Sequence, residues 1–198
     1  QNPGMPLNLI EIRPGVFFRT EKFQVSTFPV EHRGSASLGF VFEEAPHRPF
    51  LADVAEALHI PPGPWRKDLV QGNPITLQDG RVITPEMVLG EARPGTKLAV
   101  VGDVGKPFKL TDYLRDADAI VTEATYLNEE AEMAQQFGHS TAEQSALLAK
   151  EAGAKMLILN HVSRRYRDEA ILAEAQAVFP NTYLAADFDS FQIKADNS

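Results

Sequence analysis

The sequence contains no cysteine. That excludes a disulfide framework and any thiolate metal site, and leaves His, Asp and Glu as the available metal ligands. A reducing cytoplasm fits this composition. No apolar run approaches the ~18 uninterrupted residues of a membrane span, and no charged-then-apolar leader opens the chain, so the expectation is a cytoplasmic protein without a membrane partner. Basic residues are in deficit: 19 Lys and Arg stand against 27 Asp and Glu, for a formal charge of −8. Bulk charge therefore argues against a nucleic-acid partner, and any such role must rest on local patches. The sequence also has no GxxxxGK phosphate loop, no GxSxG elbow and no GxGxxG turn. Nucleotide-cofactor and serine-hydrolase readings have nothing to stand on.

What is present describes one globular domain, or a large part of one: 198 residues, 43% hydrophobic, with 12 Phe. The chain opens on Gln1-Asn2-Pro3 with no initiator Met, and the expectation is a portion of something longer. Over the first 44 residues, short alternating runs such as Phe23, Val25 and Thr27, punctuated by Pro14-Gly15 and Gly34, read as antiparallel strands. From Ala45 to Thr96 the character changes. Here fall 8 of the 14 prolines, in stretches such as Ile60-Pro61-Pro62-Gly63-Pro64-Trp65, with a short helical pattern near Phe50 to Leu58. A flexible projecting arm is the natural reading. After Pro94-Gly95 strands and helices alternate: strands at Lys97 to Val101, Ala119 to Val121 and Met156 to Leu159, helical patterns at Leu110 to Leu114, Glu129 to Phe137, Thr141 to Glu151 and Asp168 to Val178, then short strands near Thr182 to Ala185 and Phe191 to Lys194.

Three of these apolar strands run directly into polar residues: Gly102-Asp103, Thr122-Glu123 and Asn160-His161. In open α/β sheets the carboxyl ends of strands converge on one crevice, so these side chains should lie near one another. Asp, Glu and His at one rim fit a metal or acid/base site. Equally, Asp103 reads as a turn former, Glu123 as an acid near a helix, and His161 as a satisfied loop histidine. His139 precedes Ser140 and Glu143, which have the spacing of a capping box, and a histidine just before a helix N-terminus suits proton transfer. It also reads as a surface histidine beside an ordinary cap. His32 ends a strand at a Gly-containing turn and, taken alone, is a loop residue. The cluster Arg164, Arg165 and Arg167 follows His161 and would border the same crevice, where it would meet phosphates or simply open a solvated helix.

Taken in order, Val30-Glu31-His32, Ile60-Pro61-Pro62-Gly63-Pro64, Val101-Gly102-Asp103, Glu123-Ala124-Thr125, Gly138-His139-Ser140-Thr141 and Leu159-Asn160-His161-Val162-Ser163-Arg164-Arg165-Tyr166 resemble ribonuclease Z. That family is the tRNA 3′-processing endonuclease branch of the metallo-β-lactamase superfamily. The resemblance covers essentially the whole chain. It implies an α/β (α+β) fold, an αββα sandwich holding two zinc ions, with the N-terminal part that bears HxHxDH missing from residues 1–198 and an inserted tRNA-binding arm at residues 45–96. By resemblance, His32 is a ligand of one zinc, His161 a ligand of the other, and Asp103 bridges both. His139, supported by Glu123, would protonate the leaving 3′ oxygen. The arm, through Gly63, Pro64, Arg66 and Lys67, would clamp precursor tRNA, with Arg164 and Arg165 as further RNA contacts. The family also implies a homodimer and no nucleotide cofactor.

The sequence departs from the family pattern in three places. HxHxDH occurs nowhere in it, so three ligands are split across two metals, and the chain alone is expected to be inactive or nearly so. The usual Gly-Asp-Thr is here Gly102-Asp103-Val104, and the usual His-Glu-Ala-Thr is Thr122-Glu123-Ala124-Thr125. Two other readings therefore stand beside the endoribonuclease: a metallo-β-lactamase-fold hydrolase of a small phosphodiester, and a non-catalytic RNA-binding or dimerisation fragment.

Overall fold

A computed structural model describes residues 8–194. Along the chain the elements are β1 (Gly15–Arg19), β2 (Phe23–His32), β3 (Ser35–Glu44), α1 (Ala52–Ala57), α2 (Pro64–Val70), β4 (Ile75–Thr76), β5 (Val82–Ile83) and α3 (Pro85–Val88). They continue with β6 (Lys97–Val100), α4 (Thr111–Leu114), β7 (Ala119–Glu123), α5 (Ala131–Phe137), α6 (Ala142–Glu151), β8 (Leu157–Asn160), α7 (Asp168–Val178) and β9 (Thr182–Leu184). The chain folds as two compact units: one runs through Glu44 and resumes at Thr96, and the other is Ala45–Gly95.

The first unit is built on a seven-stranded sheet in the order β1-β2-β3-β6-β7-β8-β9. Its first four strands pair antiparallel, in keeping with the alternation along β2, where Phe28 and Val30 are buried and Pro29 and Glu31 exposed. Its last four pair parallel. Parallel neighbours need crossovers, and α4, then α5 with α6, then α7 supply them. In the apolar runs Leu98–Val101, Ala119–Val121 and Leu157–Leu159, the residues Ala99, Val101, Ile120, Leu157 and Leu159 are buried in the core, while Leu98, Val100 and Val121 at alternate positions are partly buried. Leu114, Leu148 and Ile171 of the helices pack with Ile120, Leu157 and Leu159 of the strands, all fully buried. Each such side chain contributes roughly 1.5–3 kcal/mol. Ala142, Ala146 and Ala149 on α6 are also fully buried, and their small size lets that helix approach the sheet closely.

Two expectations require correction. Residues 191–194 form no strand. Before them, Asp189 closes a turn on itself, its carboxylate accepting from the Ala186 amide at 2.9 Å and its own amide donating to Ala186 O at 3.1 Å. The Phe191 ring instead lies against Tyr183, 5.9 Å between centroids, so its apolar character serves side-chain packing and not strand pairing. The capping box is also displaced by one residue. Ser140 turns inward and donates to Val104 O at 2.8 Å, so Thr141 is the N-cap of α6 and Gln144, not Glu143, completes the box.

The second unit has its own apolar cluster, in which Ile60, Leu69, Ile75, Leu77, Ile83 and Val88 are buried. Its prolines have a local use: Pro64 and Pro85 stand in the first turns of α2 and α3, where a missing N–H costs nothing. Among the described residues no helix is long and apolar enough to cross a membrane.

Candidate metal centre

The parallel strands β6, β7 and β8 end side by side, and the residues just beyond them meet segments from two other parts of the first unit. Asp103 follows β6, Glu123 closes β7 and His161 follows β8. His32 comes from the last position of β2, and His139 from the loop between α5 and α6. Two features set these loops. His161 takes φ 49, an uncommon conformation for a residue with a Cβ. Gly105 donates its amide to Glu31 O at 2.9 Å, and a Cβ added at Gly105 would come within 3.0 Å of Gly138 Cα. The Asp103 loop and the His139 loop are therefore in near backbone contact, which glycine alone allows.

The cluster is graded from inside to outside. Glu123 is fully buried, His139 is 8% exposed, and the His161 side chain is 54% exposed. Asp103 lies between two histidines: its Oδ2 is 3.9 Å from His32 Nε2 and its Oδ1 is 3.7 Å from His161 Nε2. The rings of His32 and His161 stand 5.0 and 5.4 Å from that of His139. One ligand atom each from His32, Asp103 and His139 lie within 4.8 Å of one another, a spacing one metal ion bridges.

The hydrogen bonds around these rings decide which nitrogen is free. His32 Nδ1 donates to Gly138 O at 2.7 Å, leaving Nε2 as a lone pair toward Asp103. His139 Nδ1 bonds to Glu123, 3.0 Å from Oε1 and 2.9 Å from Oε2. Tying Nδ1 to a carbonyl or carboxylate in this way orients an imidazole that ligates or transfers a proton through Nε2. Glu123 is itself satisfied: the Val104 amide donates to Oε1 at 2.7 Å, and the Thr125 hydroxyl lies on Oε2. That hydroxyl also stands 3.0 Å from His161 O, linking the buried carboxylate to the outer histidine. The imidazole nitrogens of His32 and His161 on either side of the Asp103 carboxylate suit a borderline divalent ion such as zinc, so the residues present fit a metal centre, with His139 near enough to ligate or to transfer a proton.

The two substituted positions among those departures, Val104 and Thr122, are both buried. The Val104 side chain is fully enclosed in the core while its backbone serves Glu123 and Ser140. Thr122 is fully buried, and its hydroxyl has no hydrogen-bond partner.

The basic residues singled out from sequence lie elsewhere or are partly committed. Arg165 is exposed and pairs with Glu130 at 3.1 Å, while Arg164 is exposed. In the second unit, Gly63 has φ 124 and precedes Pro64 at the start of α2. Arg66 is used internally: both Nε and Nη2 donate to Ile60 O, at 3.2 and 2.8 Å, and Cζ lies 5.7 Å from the Phe50 ring centroid. Lys67 is exposed. Arg33, which no sequence motif marks, sends its guanidinium to the His139 loop. Its one signal was its place beside His32, at the apex of a two-residue turn before Ser35.

No family model matches the chain. Ribonuclease Z of Bradyrhizobium diazoefficiens is 43% identical over 185 residues, 93% of this chain and 62% of that protein. Ribonuclease Z of Geobacillus kaustophilus is 42% identical over 191 residues, 94% of this chain and 62% of that protein. The Bacillus subtilis protein of the same name is 40% identical over 187 residues, 92% of this chain and 61% of that protein. Among solved structures, the short form of human tRNase Z matches with a TM-score of 0.52 at 22% identity, over 90% of this chain and 45% of that one. The metallo-beta-lactamase fold protein YhfI from Bacillus subtilis matches with a TM-score of 0.57 at 14% identity, over 89% of this chain and 52% of that one. The chain spans about 62% of the length of the first of these relatives. Across nearly its own whole length it is a homologue of ribonuclease Z, and its fold is that of the metallo-β-lactamase proteins.

Proposed function

We propose that this chain carries part of the active centre of a zinc-dependent endoribonuclease that removes 3′ trailers from precursor tRNA. The observation that carries the reading is the position of Asp103, whose two carboxylate oxygens face His32 on one side and His161 on the other, with His139 backed by a buried carboxylate beside them. His32, Asp103 and His161 would hold the metal. Two bound zinc ions would supply a hydroxide nucleophile and neutralise charge on the phosphate.

The chain's own residues account for the proton. Glu123 accepts from His139 Nδ1 and fixes the ring, so that a proton carried on Nε2 would be delivered to the leaving 3′ oxygen. The expected products are a 3′-hydroxyl on the tRNA and a 5′-phosphate on the trailer. Region 45–96 would bind the tRNA through Gly63, Pro64 and Lys67, and Arg164 and Arg165 would add contacts near the centre. Homodimerisation belongs to the same proposal. Residues 1–198 hold no HxHxDH, so by themselves they are proposed to bind metal weakly and to cleave slowly.

A second reading, hydrolysis of a small phosphodiester, is favoured by the two buried departures Val104 and Thr122. Incubating the protein from its complete reading frame with precursor tRNA and with a chromogenic phosphodiester, with and without region 45–96, separates the readings. Loss of tRNA cleavage alone on deletion supports the endoribonuclease; equal effects on both substrates favour the small diester. RNA binding that is insensitive to chelator, with no turnover of either substrate, contradicts both and leaves a non-catalytic RNA-binding or dimerisation fragment.

A further inference from the structure

We propose that Arg33 is a phosphate anchor of this centre, placed by a strained turn to take a non-bridging oxygen of the phosphodiester on which His139 acts. This rests on the reading just given.

The turn joining β2 to β3 has two residues, Arg33 and Gly34, with φ 48 and 72. Such a turn needs positive φ at both positions, which favours Asn or Gly at the first. An arginine there crowds its Cβ against its own carbonyl at a cost on the order of 1 kcal/mol. Turn formation therefore does not explain the residue, and its side chain does. The neighbouring loop leaves a lane for it: at Gly138 an added Cβ would come within 2.9 Å of Arg33 Cγ. Along that lane Arg33 Nε donates to Phe137 O at 2.5 Å, and Cζ lies 5.9 Å from the Phe137 ring centroid. These two contacts aim the planar fork, and Nη2 ends 3.5 Å from His139 Nε2.

Phe137 O takes the Nε hydrogen and one Nη2 hydrogen faces His139 Nε2, which leaves the remaining Nη hydrogens for a ligand. Among the described residues no carboxylate pairs with Arg33, so its charge is not neutralised within the protein. A guanidinium with free donors, converging with an imidazole on one point beside Asp103 and His32, fits an oxygen of a phosphate group. It does not fit an uncharged ester. Arg33 would thus make the centre selective for anionic diesters while His139 acts on the leaving oxygen.

The test uses R33N and R33K in the protein from its complete reading frame, with a labelled minihelix RNA carrying a 3′ trailer. A second RNA carries an uncharged methylphosphonate at the scissile position. R33N satisfies the turn better than arginine, so its thermal midpoint is expected to match or exceed that of the wild type, which removes misfolding as an explanation. Wild type should bind the charged RNA about 10-fold more tightly than the methylphosphonate RNA, the scale of one charge-assisted hydrogen bond. R33N should lose most of that preference, and R33K should fall between. If R33N keeps the wild-type ratio, the proposal is overturned. Cleavage of the charged RNA is followed in parallel: a wild-type protein that shows the binding ratio and cuts no phosphodiester sinks the endoribonuclease reading while leaving Arg33 as an anchor. Failure to bind either RNA overturns both.

Discussion

Glu123 Oε2 and His139 Nδ1 lie 2.9 Å apart in the interior of the protein, the carboxylate fully buried and the imidazole nearly so. A buried carboxylate is costly unless its lone pairs are filled, and here the Val104 amide, the Thr125 hydroxyl and His139 fill them. Glu123→Ala would leave those three donors facing a cavity, at an expected cost of about 3 kcal/mol. Glu123→Gln keeps the volume and one acceptor, so it should cost less stability and yet weaken cleavage, because the amide no longer holds the His139 ring through two carboxylate oxygens. Urea unfolding checks the first claim and a single-turnover cleavage assay the second. An Ala variant as stable as wild type would contradict the account of how this carboxylate is held.

The start of α6 is fixed by Thr141, which also fixes the loop that presents His139. Thr141→Ala removes the hydroxyl that accepts from the Gln144 amide at 3.1 Å and is expected to cost about 1 kcal/mol. Thr141→Ser should restore it. Ser140→Ala loses a different bond, the one to Val104 O, and should be destabilising without affecting the cap. Thermal midpoints of the three variants check this; a rescue by Ser at 141 is the informative result.

Much of this arrangement was legible in the sequence, for a physical reason. The strands ending at Asp103, Glu123 and His161 are apolar runs closed by polar residues, and a parallel sheet brings such ends together wherever its crossovers are helical. What was not legible depended on which way one side chain turns. Ser140 and Thr141 are both good caps, and only the buried carbonyl of Val104 decides between them. Phe191 has the composition of a strand residue, but Asp189 turns the chain before it can pair. Arg33 carries no motif of its own, because positive φ at a turn apex leaves no mark on the sequence when the residue is not Gly or Asn.

Glu31, one residue before His32, carries a pH signature. Hydrogen bonds from Lys106 and Lys109 hold its carboxyl below the ordinary value of 4.5. A carboxyl lowered in the folded state stabilises the protein above its unfolded value, and that contribution is lost as pH falls through the lower folded value. The difference in thermal midpoint between wild type and Glu31→Gln should therefore be constant near neutrality and shrink below pH 4.5. It should be reduced by added salt, because the group is exposed. A difference that grows toward acid would contradict this.

In the second unit, two adjacent cations should behave differently. Arg66→Ala removes the donors on Ile60 O and is expected to destabilise that unit by about 1–3 kcal/mol. Lys67 is exposed, so Lys67→Glu should leave stability within ~0.5 kcal/mol. It should also weaken RNA binding and reduce its salt dependence by the equivalent of about one phosphate contact. Filter binding at several salt concentrations, beside urea unfolding, separates the two roles.

Asp103 between His32 and His161 is the centre of the proposed metal site. Metal content after dialysis against limiting zinc, measured by elemental analysis on the protein from its complete reading frame, tests it most directly. Wild type and His139→Ala are expected to retain zinc, the latter with cleavage lost, while Asp103→Ala should lose most of it. Zinc retained in full by Asp103→Ala would contradict the central claim, and zinc lost from His139→Ala would make His139 a ligand and not the proton donor.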